Sequence, residues 1–352
     1  MRSFVTGLIF LSACTVLPAQ WLKIKTPGIP RKGDGKPNLT APAPRAPDGK
    51  PDLSGLWGTE DNTYIVNLTG DLKPGEIRPW AEEVYKRRLD ALDRDTPGTH
   101  CLPGGPAEIL GAQYRIIQVP NVTGILYASG AYRQIFTDGR QLPKDPNPTW
   151  WGYSVGHWEG DTLVVQSTGF NDRSWLDFSG HPHTEDLRVT ERFTRRDFGH
   201  MQLQVNMEDP KTFTRPVNLT LGVNYVPDTE MLEYVCNENE RDSTHLVGKV
   251  SDEVKGEVKV SSQVLSRYAG KYQEHSTEGK MKATISVTGD QLMFSIGGKG
   301  AIPLTTLSET AFYFPGGFPM DFVKDDKGAP LHFLFHTPCG DLDFVRTDTA
   351  KK

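Results

Sequence analysis

Tyr153-Ser154-Val155-Gly156-His157-Trp158-Glu159-Gly160-Asp161-Thr162-Leu163-Val164-Val165-Gln166-Ser167-Thr168 reads as two strands folded back on a tight turn. β-Branched and aromatic residues crowd both flanks, and Glu-Gly-Asp supplies the chemistry of a short hairpin connection. Outward from this hairpin, residues 114–119, 123–127 and 132–137 are further short apolar runs, the last closed by Asp138-Gly139. Downstream, residues 187–194, 201–207, 217–225 and 231–236 continue the pattern. Only residues 80–95 carry helical spacing, with Trp80, Val84, Leu89 and Leu92 on one side and Pro97-Gly98 as the stop. Strands this frequent, punctuated by 35 Gly and 26 Pro, predict an all-β fold. The expectation is an antiparallel β-barrel or sandwich with one helix.

The alternation starts afresh in residues 282–287, 291–296, 311–314, 320–323, 331–335 and 342–345, with Gly289-Asp290 and Gly297-Gly298 at corners. The chain then divides into a signal peptide (1–19), a flexible Pro/Gly/Lys-rich linker (20–50), a β-rich ligand-binding domain (51–250), a charged linker (251–259) and a smaller β-barrel domain (260–348). No internal repeat stands out.

Met1-Arg2, the apolar run 4–17 and Leu17-Pro18-Ala19 form an export leader cleaved before Gln20. The run is too short for a membrane span, so the expected location is periplasmic or secreted. The alternative is a lipid anchor: Leu11-Ser12-Ala13-Cys14 has the form of a lipobox, which would tie Cys14 to the cell envelope. The mature chain keeps Cys101, Cys236 and Cys339. Export permits disulfides, and Cys101 with Cys236 is the preferred pair because both fall in the first domain. With 39 Lys and Arg against 44 Asp and Glu, net -5, there is no basic field to hold phosphates, which argues against a nucleic-acid partner.

Several residues could carry chemistry. Gly152-Tyr153-Ser154-Val155-Gly156 matches the G-x-S-x-G string of a nucleophile elbow, but a hairpin follows where the elbow needs a helix. His181-Pro182-His183 with Glu185 nearby has the residue types of a divalent-metal site, with His157 or Asp138 as candidates for a further ligand; no other cofactor is indicated. In Leu187-Arg188-Val189-Thr190-Glu191-Arg192-Phe193, strict alternation turns Glu191 inward with Leu187, Val189 and Phe193. A buried carboxylate needs a partner, with Arg133 and Arg115 as candidates. Trp150, Trp151, Trp158 and Trp175 are close enough in sequence to form a stacking platform.

Two resemblances add to this. Residues 133–140 (RQIFTDGR), 158–165 (WEGDTLVV) and 180–193 (GHPHTEDLRVTERF) resemble an uncharacterised family of secreted bacterial β-rich proteins across about residues 52–249, a likeness that brings no activity with it. Residues 265–272 (LSRYAGKY), with 287–293, Pro303-Leu304, 321–323 and Gly328, are similar to the lipocalin-like domain appended to secreted β-lactamase-type serine hydrolases. The Ser-x-x-Lys nucleophile of those hydrolases does not occur in this chain. The expected function is therefore binding of a small organic ligand, sugar-like or apolar, in a barrel cavity lined by Arg133, Trp158 and Glu191. The alternative is a hydrolase or lyase acting through His181, His183 and Glu191, with or without metal, all three lining one cavity.

Overall fold

A computed structural model describes residues 24–60, 63–91, 95–111, 113–236, 258–275, 281–297, 299–314, 318–325, 328–337 and 340–348. The leader with Cys14, residues 251–257 and Cys339 lie outside the described residues.

Nine strands close the first barrel: β1 (Gly55–Thr59), β2 (Tyr114–Val119), β3 (Val122–Tyr127), β4 (Tyr132–Phe136), β5 (Tyr153–Glu159), β6 (Thr162–Thr168), β7 (Arg188–Arg195), β8 (His200–Glu208) and β9 (Val217–Tyr225). Neighbours in sequence are neighbours in space, and β1 returns to β9 through Trp57 opposite Tyr225. Every pairing is antiparallel except β4 with β5, which is parallel; the long connection 137–152 carries the chain back before β5 begins. Alternation does what it predicts: inward Val189, Glu191 and Phe193 are buried, while Arg188 is exposed and Thr190 and Arg192, between them, are half-buried.

Because the strands run back and forth, the loops sort to two ends. One end carries the insertion between β1 and β2, which contains α1 (Thr63–Val66), α2 (Pro79–Asp90) and 3-10 turns at Pro97–His100 and Gly105–Leu110. The β6–β7 loop joins it: the Phe178 and Ser179 amides donate to the carbonyls of Ile65 and Val66 at 2.7 and 3.0 Å. Together they make a lid. More helix is present than the single one expected, and α2 is shorter and shallower than its spacing implied. It ends at Asp90, and Ala81 is its buried residue while Trp80 is exposed. The expected strand at 231–236 is not formed; that segment is irregular and is held instead by a disulfide between Cys236 and Cys101.

Residues 24–50, expected as a flexible linker, are laid across the opposite end. Ile29 and Ala41 are buried there against Phe198 of the β7–β8 turn and Tyr225 of β9. Here the sequence holds a repeat that alternation counting overlooked: Arg31-Lys-Gly-Asp-Gly-Lys-Pro-Asn-Leu-Thr40 and Arg45-Ala-Pro-Asp-Gly-Lys-Pro-Asp-Leu-Ser54. Each copy is the same turn. Arg31 donates to the Gly35 carbonyl at 3.1 Å and Arg45 to that of Gly49 at 2.8 Å. Each Arg then forks onto a barrel carboxylate, Arg31 on Asp228 (2.6 and 3.0 Å) and Arg45 on Asp161 (2.7 and 2.9 Å). Composition suggested a tether because turn-forming residues also dominate disordered segments; paired charges supply the ordering that an apolar period would.

The second unit is a nine-stranded antiparallel sheet, β10 (Gly270–Glu274), β11 (Lys282–Thr288), β12 (Gln291–Ile296), β13 (Lys299–Pro303), β14 (Thr305–Thr306), β15 (Ala311–Phe314), β16 (Phe318–Lys324), β17 (Pro330–Thr337) and β18 (Gly340–Arg346). Its order, β13-β12-β11-β10-β18-β17-β16-β15-β14, puts β13 and β14 at the two edges. Leu304 alone separates them in sequence, so one bent strand bridges both edges and nearly closes a barrel. Helix α3 (Ser262–Tyr268) buries Leu265 and Tyr268 in this unit, and its core is a ring stack that includes Phe294, Phe333 and Phe344. The two units touch. A Cβ on Gly70, in the lid, would lie 3.0 Å from the Cα of Gly300 in the second barrel, so glycine is needed on both sides of this approach.

Candidate functional site

Arg133 on β4 and Glu191 on β7 meet inside the first barrel. Arg133 Nη1 donates to Glu191 Oε1 at 3.0 Å, and Nη2 forms a very short bond to Oε2. Nε donates to Ser154 Oγ at 3.0 Å and Nη2 to Ser167 Oγ at 2.8 Å, and the two hydroxyls lie 2.8 Å apart. Both charged side chains are 1% exposed. Burial alone would pull the Arg133 pKa down, but Glu191 and Tyr127 hold it above its ordinary value. The Ser154 of the G-x-S-x-G string is thus a bond acceptor for an arginine on a continuous strand, with no turn to present it. The four side chains form one polar network within an apolar barrel. Trp158, half-buried at the far end of β5, packs against the same core.

His181 and His183 belong to two other networks. His181 Nδ1 meets Asp177 Oδ2 at 2.7 Å and Nε2 meets Thr69 Oγ1 at 3.1 Å, with the ring stacked on Tyr85 at 4.1 Å. His183 sits 3.0 Å from the Thr184 carbonyl through Nδ1 and 2.7 Å from Ser174 Oγ through Nε2. Burial lowers its pKa. A neutral ring facing a carbonyl must carry its proton on Nδ1, so Nε2 accepts from Ser174. Both histidines are buried and Glu185 is exposed, so the three expected metal ligands do not converge. Among the described residues no group of three His, Cys, Asp or Glu side chains is placed to hold a metal ion. His181, His183 and Glu191, expected to line one cavity, each face partners of their own: Asp177 and Thr69, Ser174 and Thr184, and Arg133.

A space of about 810 Å³ opens between the lid of the first barrel and the mouth of the second. Ile65, Leu102, Ala107 and Phe178 form one wall, and Ile296, Phe314, Phe318 and Phe335 the other. Phe178 and Phe318 approach across it, ring centres 6.3 Å apart. The Cys101–Cys236 disulfide, with Cα atoms 5.6 Å apart, is part of the wall and ties segment 231–236 to the lid.

The chain matches no family model and no curated protein.

The polar feature of the cavity is Glu108, in the second 3-10 turn and 8% exposed. Oε1 accepts from the Gly104 amide at 3.0 Å and Oε2 from the Ser129 hydroxyl at 2.6 Å. Burial pushes this carboxyl above its usual range, and the two donors hold it back only in part. A Cβ at Gly104 would stand 2.7 Å from Oε1, so the carboxylate reaches that amide only because residue 104 is glycine. Sequence reasoning passed over Glu108, which sits in no alternating run. The available signal was Pro103-Gly104-Gly105-Pro106, a turn too rigid to be filler, with an acid two positions beyond it.

Proposed function

We propose that this chain is an exported binding protein that holds a small, mainly apolar organic molecule in the cavity between its two barrels. The observation that carries this is the cavity itself. Its volume falls in the range of small-molecule sites, its walls are apolar with few polar groups, and it lies between domains, where such sites concentrate. The reading moves the expected ligand site from Arg133, Trp158 and Glu191, of which Arg133 and Glu191 bond one another, to a space with room for a guest. Export is supported by the leader-like residues 1–19 and by the disulfide, which persists in oxidising compartments. No helix among the described residues is long and apolar enough to cross a membrane. Release into the periplasm or medium is favoured over a lipid on Cys14 because that cysteine leaves a cramped apolar run before it. The likeness of the second barrel to lipocalin-like domains accords with a guest at its mouth. The hydrolase or lyase alternative rests on His181, His183 and Glu191, which are tied up in separate buried networks.

The test is a titration of the oxidised protein with N-phenyl-1-naphthylamine, a neutral apolar dye. Trp175 lies in the cavity wall, so energy transfer from tryptophan to dye reports proximity. Saturable one-to-one binding that is lost in Ala131→Trp, which fills the space, supports the reading. Binding unaffected by that substitution would place the dye elsewhere and reject it.

A further inference from the structure

The charged groups of the cavity are one-sided. Glu108 and Asp177 line it, and none of the described residues lining it is Lys, Arg or His. Asp177 is committed: Oδ2 accepts from the Leu68 amide at 2.9 Å and meets His181 Nδ1, while Oδ1 accepts from the His181 amide at 3.1 Å. Glu108 is not. Its oxygens accept one bond each, whereas an ionised carboxylate offers about four acceptor positions. Lone pairs therefore remain on a nearly buried acid at the edge of an apolar space.

We propose that the cavity selects a cationic amphiphile, a molecule with a protonated amine held by Glu108 and an apolar body lying on Phe318 and Phe335 at the mouth of the second barrel. This rests on the binding function proposed above and names its ligand class. An ammonium supplies the opposite charge that burial makes Glu108 lack, and a charge-assisted bond is roughly twice as strong as the neutral bond an alcohol would make. The ring of Tyr234, also in the wall, suits a cation, whereas the Trp175 ring already carries the Arg88 guanidinium 4.6 Å from its centre. Among the described lining residues, a carboxylate or phosphate headgroup would meet two acids and no Lys, Arg or His.

The test is displacement of N-phenyl-1-naphthylamine from the oxidised full chain at pH 7 by n-decylammonium, n-decanol and n-decanoate, which share one tail. The expected order is ammonium tightest, about tenfold ahead of the alcohol, with decanoate weakest. Glu108→Gln should bring the ammonium to the level of the alcohol while leaving the alcohol within about twofold. An ammonium that binds no tighter than the alcohol overturns the assignment, as does a preference that survives Glu108→Gln. The wild-type ranking alone decides if that variant does not fold. If neither dye nor any decyl compound binds, the binding function falls and takes this assignment with it; if dye and alcohol bind while the ammonium gains nothing, only the ligand class is lost.

Discussion

Glu191→Gln separates a structural pair from a binding residue. The change keeps shape but removes the negative charge beside Arg133, whose guanidinium is 1% exposed and faces Glu191, Ser154 and Ser167. Breaking a buried pair by removing one partner costs about 3–5 kcal/mol, because the other charge is left uncompensated. The glutamine oxygen can still accept one bond from Arg133, which favours the lower end. For a unit of this size each kcal/mol moves Tm by about 2–4 °C, so the first barrel should melt roughly 6–12 °C lower. Calorimetry of the oxidised full chain at pH 7 measures this, with the second barrel's transition as an internal reference. Arg133→Met with Glu191→Leu should recover most of the loss, since an apolar pair of similar volume avoids burying any charge. Dye binding should be unchanged in both variants. A Tm within about 2 °C of wild type, or a double variant no better than the single one, would refute the structural assignment.

Three further outcomes follow from the same contacts. Reducing the Cys101–Cys236 bond, which closes a loop with a sequence separation of 135, should lower stability by up to about 5 kcal/mol and weaken dye binding by freeing one wall; an unchanged melt after complete reduction, checked by thiol counting, would count against both effects. His336 lies 2.8 Å from Asp341 and 2.9 Å from Asp321 across three strands, and the bonds to those carboxylates raise its pKa. A raised histidine pKa adds stability below the unfolded value near 6.5 that is lost as pH rises through the folded value. The second barrel should thus be more stable at pH 6 than at pH 8, by about 1 kcal/mol or less because the pair is partly exposed, and His336→Gln should flatten that difference. Residues 258–352 alone should unfold in one cooperative transition, because their aromatic core is their own; a broad melt without a transition would mean that the two barrels share one core.

Local alternation carried much of the fold. The hairpin at 153–168 and the inward turn of Glu191 were legible because strand period and burial are local, and the Cys101–Cys236 pairing, 135 positions apart, because both cysteines fall in the first domain. The β4–β5 parallel pairing was not, since nothing in either strand encodes the path of the connection 137–152. The strap at 24–50 escaped because its order comes from two Arg–Asp forks to residues more than 100 positions away. The site escaped for a related reason. Arg133 and Glu191 were found together because buried charges demand partners, and each meets that demand in the other. The cavity is built from a lid and the mouth of another barrel, and its walls, such as Ala107, Phe178 and Phe335, read in sequence as ordinary core.

The most direct measurement is a crystal structure of the oxidised chain soaked with an ω-bromodecanol, using bromine anomalous scattering to locate the guest. The neutral alcohol tests occupancy of the cavity without relying on Glu108. The account predicts one strong bromine peak between the lid and the second barrel, within contact of Phe314, Phe318 or Phe335. A peak inside the first barrel beside Glu191, or bromine scattered only over the outer surface at saturating ligand, would contradict it.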